Sequence, residues 1–132
     1  MIILLIEDDA IEVLKFKRSL SKLEAQHEIL EAQNGKEALA ILETQKPHII
    51  LLDLNMPKMN GLEFLKRLRS LKLLDFIPTI ILTTSVNSTD LKTAYTLGVA
   101  GYILKPLRYE DYVIKIAALL NYWQQNELVQ DR

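Results

Sequence analysis

The chain has 132 residues, 49% hydrophobic and 25% charged, with a formal net charge of −1. That is one domain's length with enough apolar residues for a continuous core, and no basic excess with which to neutralise a run of phosphates, so direct nucleic-acid binding is not expected. Cysteine is absent, which excludes disulfides and thiolate sites and suits a reducing, cytoplasmic setting.

Residues 1–6 are apolar, but the run is too short to span a membrane, lacks a basic leader and passes straight into Glu7-Asp8-Asp9. It reads as a strand, and neither a signal peptide nor a membrane contact is expected. Ala10, Val13, Phe16, Leu20 and Leu23 follow at helical spacing. Further apolar runs at 27–32, 49–52, 79–82 and 101–104 alternate with helical segments, giving predicted helices at 9–23, 34–45, 60–73, 88–97 and 109–128. Asp9 with Glu12, Asn34 with Glu37 and Asn60 with Glu63 mark three of the helix starts. In each, the first residue can accept from an orphan amide while the acid three positions on reaches back to the cap's own amide. Short, near-continuous apolar strands alternating with helices predict a parallel sheet covered on both faces, (βα)₅ in all, as one domain over 1–132 with no effector domain. The last helix would run about 30 Å and outreach a strand of about 17–20 Å, leaving Tyr122, Trp123, Leu128 and Val129 overhanging. An apolar overhang suggests a second copy as its cover, the alternative being that Trp123 folds back on its own domain.

Ligands of an open parallel sheet sit beyond the carboxyl ends of its strands. There the apolar runs stop at Glu7-Asp8, at Asp53, at Thr83-Thr84 and at Lys105-Pro106. Taken singly, each has a plain structural reading: capping acids, a loop acid, a β-forming core residue, a solvated turn lysine. Their coincidence on four strand ends favours one site. Converging carboxylates without His or Cys make an oxygen-only donor set suited to a hard divalent ion such as Mg²⁺, with Asp8 and Asp53 as direct ligands and Glu7 holding a coordinating water. A carboxylate nucleophile, a divalent cation, a hydroxyl and a positioned lysine are the parts an aspartyl-phosphate mechanism needs. A phosphatase of the haloacid-dehalogenase type would want a second Asp two residues after Asp53, where Asn55 stands; a binding-only pseudo-receiver would lack the acids or the lysine. His27 and His48 fall at strand starts, on the opposite rim, and are expected to be solvated.

The strings Ile6-Glu7-Asp8-Asp9, Leu52-Asp53-Leu54-Asn55-Met56-Pro57-Lys58-Met59-Asn60-Gly61, Pro78 followed by Thr83, and Gly101-Tyr102-Ile103-Leu104-Lys105-Pro106 resemble the receiver domains of two-component response regulators over almost the whole chain. The resemblance implies a flavodoxin-like (βα)₅ sandwich with strand order 2-1-3-4-5. It also implies a signalling role rather than that of an enzyme acting on other molecules, although such domains promote their own phosphorylation and dephosphorylation. Asp53 resembles the phosphoacceptor. Glu7, Asp8 and the backbone carbonyl of Asn55 match the remaining ligands of Mg²⁺, for which Mn²⁺ can substitute. Thr83 and Lys105 match the groups that bind phosphoryl oxygens, Pro106 would carry a cis peptide bond that aims Lys105, and Tyr102 would turn inward as Thr83 moves. Departures are small: Glu7 replaces the commoner Asp, Thr84 stands where many receivers have Ala, and Asn55 and Ser85 occupy places that tune hydrolysis. The string Leu82-Thr83-Thr84-Ser85, the segment 71–76 and the Trp-bearing last helix are similar to stand-alone receivers paired with phytochrome-type histidine kinases. A sensor histidine kinase is thus the expected partner. A homodimer through helix 4, strand 5 and helix 5 is expected too, with Tyr112, Trp123 and Leu128 at its interface.

Overall fold

The structure, a computed structural model, describes residues 1–56, 59–72 and 76–129. Strands β1 (Ile2–Ile6), β2 (Glu28–Ala32), β3 (Ile49–Leu52), β4 (Thr79–Thr83) and β5 (Gly101–Leu104) alternate with helices α1 (Ala10–Leu20), α2 (Gly35–Thr44), α3 (Gly61–Arg69), α4 (Ser88–Thr96) and α5 (Tyr109–Gln124). All the strand pairs are parallel, in the order β2-β1-β3-β4-β5. This is the flavodoxin-like arrangement expected from the sequence. Residues 57 and 58 of the Asp53-to-Gly61 string, 73–75 of the segment 71–76, and the last three residues of the chain lie outside the described residues.

The reason for the continuous apolar runs is visible in the packing. Leu4, Ile6, Ile50, Leu52 and Ile81 point to one face, where α2, α3 and α4 cover them with Ala38, Leu42, Phe64, Leu65, Leu68 and Ala94. Their neighbours Ile3, Leu5, Ile49, Leu51, Ile80 and Leu82 point to the other, under Phe16 of α1 and Tyr112, Ile116, Leu119 and Leu120 of α5. A strand buried on both faces has no solvent side for polar residues to alternate onto. Among the described residues no helix is long and apolar enough to cross a membrane.

The caps form as half-boxes. Asn34 accepts from Glu37 N–H at 2.9 Å and Asn60 from Glu63 N–H at 3.1 Å, while Asp9 accepts from Ile11 N–H at 2.9 Å. The return contacts differ from expectation. Glu37 accepts from Gln33 N–H and the Asn34 side-chain amide, Glu63 from the Asn60 side-chain amide, and Glu12 is drawn away to lysines.

Two expectations for the C-terminal part need correction. Helix α5 ends at Gln124, not near 128: the Asn126 side-chain amide donates to Tyr122 O at 2.8 Å, taking a helix carbonyl at the terminus, and the chain turns. Sixteen residues span about 24 Å, so the overhang is short. Leu128 then packs back, with Trp123, against the α1/α5 core. Tyr112, expected at a dimer interface, is only 2% exposed; its ring fills the space between α5 and the sheet, with Lys15 Nζ 4.5 Å above it. It cannot meet a second copy. His27 and His48 are half-buried rather than solvated: Ile2 N–H donates to His48 Nδ1 at 2.7 Å, and the Met1 amine lies 3.3 Å from His27 Nδ1.

Gly61, the first residue of α3, sits against the chain leaving β3. A Cβ there would lie 2.5 Å from the Asp53 carbonyl oxygen and 2.7 Å from Leu54 Cα, both backbone atoms that cannot step aside. Gly61→Ala is expected to destabilise the protein by about 1–3 kcal/mol in urea unfolding, as overpacking against a rigid neighbour does, whereas alanine at the solvent-facing Lys66 of the same helix should cost under about 0.5 kcal/mol.

Candidate phosphoacceptor and metal site

The sheet ladder runs one residue past three of its strands, and that positions the site. Glu7 N–H donates to Ala32 O at 2.9 Å, Asp53 N–H to Ile6 O at 3.1 Å and Lys105 N–H to Thr83 O at 2.8 Å. Glu7, Asp53 and Lys105 are thus each held by a backbone hydrogen bond that continues the strand before it. The structure brings together Glu7, Asp8, Asp53, Thr83 and Lys105, as the strand-end reading expected.

Each of Glu7, Asp8 and Asp53 contributes a carboxylate oxygen, and these oxygens all lie within 4.8 Å of one another. Glu7 and Asp53 are 4% and 9% exposed, while Asp8 is open to solvent. An oxygen-only set with one open side fits a hard divalent cation that keeps several waters. Asn55 is exposed two residues beyond Asp53. Thr83, fully buried, donates from Oγ1 to Asp53 Oδ1 at 2.6 Å and accepts from Ser85 N–H at 3.3 Å.

Lys105 faces the acids, with its side chain only 6% exposed. It forms an ion pair with Glu7, and Glu12 Oε1 lies 3.3 Å from the same ammonium. Burial works to lower the Lys105 pKa, but the Glu7 hydrogen bond and the charges of Glu7, Asp53 and Glu12 outweigh it, so the ammonium lies above its ordinary value. Burial pushes the Glu7 carboxyl up to about 7, with the Asp53 charge adding to it and Lys105 opposing. Burial, with the Asp90 and Asp53 charges, likewise raises the Tyr102 phenol against the Ser85 hydrogen bond.

Glu12 as a second partner of Lys105 escaped the sequence reading, which had assigned it to a capping box. No local spacing marked it, because the contact joins residue 12 to residue 105 and exists only once α1 and β5 have packed on the sheet. Two further details differ from expectation. No peptide bond among the described residues is cis, Lys105–Pro106 included. The trans form is intrinsically favoured by about 0.5–1 kcal/mol at X–Pro bonds, and the ladder bond from Lys105 already directs its side chain to the site. Thr83 already stands against Asp53 and the Tyr102 hydroxyl already donates to Ser85 O at 3.1 Å. A fully buried hydroxyl needs an acceptor, and the Asp53 carboxylate is the one beside it.

A family model described as "Response regulator receiver domain" matches residues 3–117. The chain belongs to that family. Among curated relatives, this receiver domain is 34% identical to a probable methanogenesis regulatory protein, FilR2, of Methanothrix harundinacea, over 92% of its own length and 83% of that protein's. It is 32% identical to response regulator Rcp1 of Synechocystis, over 92% and 88%. Among solved structures it is similar to the phosphorylated cyanobacterial phytochrome response regulator RcpA, with a TM-score of 0.92 at 30% identity over 98% of both chains. It is similar also to the Mn²⁺-bound form of Rcp1, with a TM-score of 0.90 at 31% identity over 98% and 99%.

The raised Glu7 pKa carries a pH signature. The folded chain holds this proton more tightly than the unfolded chain, whose value is near 4.5. The stability it contributes is fully present below about 4.5 and lost as pH rises through about 7. In metal-free buffer the urea midpoint should therefore fall across that window, and Glu7→Gln should flatten the decline; an unchanged slope in the variant would assign the pH dependence elsewhere.

Proposed function

We propose that this receiver domain accepts a phosphoryl group from a sensor histidine kinase onto Asp53 and signals by the change that follows. The observation supporting this reading is the buried Asp53 carboxylate, clustered with Glu7 and Asp8 and faced by the Thr83 hydroxyl, with Lys105 paired to Glu7. Asp53 acts as the nucleophile: an oxygen–phosphorus bond forms at its carboxylate as the donor's nitrogen–phosphorus bond breaks. Thr83 transfers its hydrogen bond to a phosphoryl oxygen, and Lys105 exchanges its Glu7 contact for another while Glu12 stays beside it. Asp8 and Asp53, with a water held by Glu7 and the Asn55 carbonyl, would hold Mg²⁺ (or Mn²⁺), which when bound offsets charge on the transferring phosphoryl oxygens.

A switch from about 1:99 to 99:1 requires about 5.5 kcal/mol of preference for the active form. A few charge-assisted hydrogen bonds of about 1.5–3 kcal/mol each, from Lys105, Thr83 and nearby amides, are enough. Output passes through protein contacts in the cytoplasm, at the surface formed by α4, β5 and α5. There Leu91, Tyr95, Leu104, Ile114 and Tyr122 are exposed, Ile114 at 67% and Tyr122 at 59%. An apolar surface of this kind fits a second copy of the chain, with Trp123 beside Tyr122 at its margin. The kinase partner is of the phytochrome type, a reading that rests on similarity to RcpA and Rcp1.

Incubation with Mg²⁺ and acetyl phosphate should add the mass of one phosphoryl group, with none added to Asp53→Asn. If neither a small donor nor any histidine kinase phosphorylates the unaltered chain, the domain is a binding-only pseudo-receiver. Sedimentation should show a dimer with beryllofluoride that Ile114→Asp or Tyr122→Asp reduces to a monomer; a monomer in every condition refutes the dimer.

A further inference from the structure

Ser85 is the point at which the site meets the rest of the switch surface. Its N–H donates to Thr83 Oγ1 at 3.3 Å, the atom that itself donates to Asp53. Its carbonyl accepts from the Tyr102 hydroxyl at 3.1 Å. Its own hydroxyl donates to Asp90 Oδ2 at 3.0 Å and accepts from Asn87 N–H at 3.4 Å. Asp90 lies in the first turn of α4, where its backbone N–H is capped by Asn87 Oδ1 at 3.2 Å. A carboxylate anchored on a helix therefore holds the side chain of the residue whose two backbone groups serve Thr83 and Tyr102. Without Asp90, the Ser85 hydroxyl keeps, among the described residues, only the longer contact to Asn87, and the peptide groups of Ser85 lose the restraint that presents them in both directions at once.

We infer that Asp90 is a positioning residue for phosphoryl binding: through the Ser85 hydroxyl it holds the β4–α4 connection so that Thr83 faces Asp53 while Tyr102 is seated on Ser85 O. The inference rests on Asp53 being the phosphoacceptor. It gives α4 a direct hydrogen-bonded link to the site, in which the acceptor capacity of Asp90, not its charge, is what matters. Electrostatic support of the α4 N-terminus is the rival role for an acid in that turn, and asparagine separates the two, because its side-chain oxygen can accept from Ser85 but carries no charge.

The test compares the unaltered chain with Asp90→Ala, Asp90→Asn, Ser85→Ala and the Asp90→Ala/Ser85→Ala double variant. Each is titrated with beryllofluoride in saturating Mg²⁺, Tyr102 is followed by ring-labelled NMR, and thermal midpoints are measured in parallel. The expected result is a roughly five- to tenfold loss of beryllofluoride affinity in Asp90→Ala, the size of one lost hydrogen bond. A matching loss is expected in Ser85→Ala, no further loss in the double variant, recovery in Asp90→Asn, and a Tyr102 ring signal moved from its seated position only in the variants that bind poorly. Equal losses in Asp90→Asn and Asp90→Ala would overturn the inference in favour of helix electrostatics. Affinities all equal to that of the unaltered chain would overturn it outright, leaving Asp53 as acceptor intact. An unaltered chain that takes up no beryllofluoride would overturn the phosphoacceptor reading and this inference with it.

Discussion

A buried ammonium held among carboxylates is the constraint on which this site depends. Lys105 would be costly to place at 6% side-chain exposure without compensating charge, and Glu7 would be equally costly without Lys105. Truncating Lys105 would remove the charge that opposes protonation of Glu7, whereas truncating Glu7 would leave the ammonium to Glu12 and Asp53. The upward displacement of both groups' pKa values expresses the same balance: Lys105 is stabilised in its charged form by its neighbours, and Glu7 is pressed towards neutrality by burial. A divalent cation among Glu7, Asp8 and Asp53 would relieve the carboxylate crowding and weaken the hold of Glu7 on Lys105. Glu12 would remain beside the ammonium at 3.3 Å, so Lys105 stays charged and in place whichever of its partners is engaged.

The sheet makes that arrangement repeatable. Side chains gathered from positions as far apart as 7 and 105 meet because the parallel register aligns the strand ends, with Ile6 opposite Leu52 and Thr83 opposite Leu104. The ladder then continues one residue past β1, β3 and β5. The strand ladder thus ends at the candidate site residues, and the connection from β4 to α4 follows Thr83. Hydrogen bonds through Ser85 connect Thr83, and through it Asp53, to α4 and to Tyr102 on β5.

Several features were legible in the residues because they depend on local chemistry. Runs such as Ile49 to Leu52 announce strands with no solvent face, and Asn34 and Asn60 announce helix starts through acceptors at fixed spacing. The strand-end groups followed from those runs. Features that failed depended on competition between distant partners. Glu12 has the spacing of a capping acid, yet a buried ammonium is a stronger attractant than a solvated amide. Tyr112 reads as an exposed residue near the start of a long helix until α1 and Lys15 close over it. The helix end at Gln124 is set by a side-chain amide taking a carbonyl and by Leu128 finding the core, neither of which hydrophobic periodicity records.

The residues by themselves determined the class of fold, the number and sequence of elements, and the kind of chemistry available at the strand ends, because each is written in short-range patterns of polarity and hydrogen-bonding capacity. Which carboxylate holds Lys105, which way Thr83 and Tyr102 point, and which aromatic of the last helix is buried were decided only in three dimensions. Those outcomes rest on which of several chemically equivalent partners lies nearest once the sheet and helices have packed, and spacing along a chain does not contain that distance.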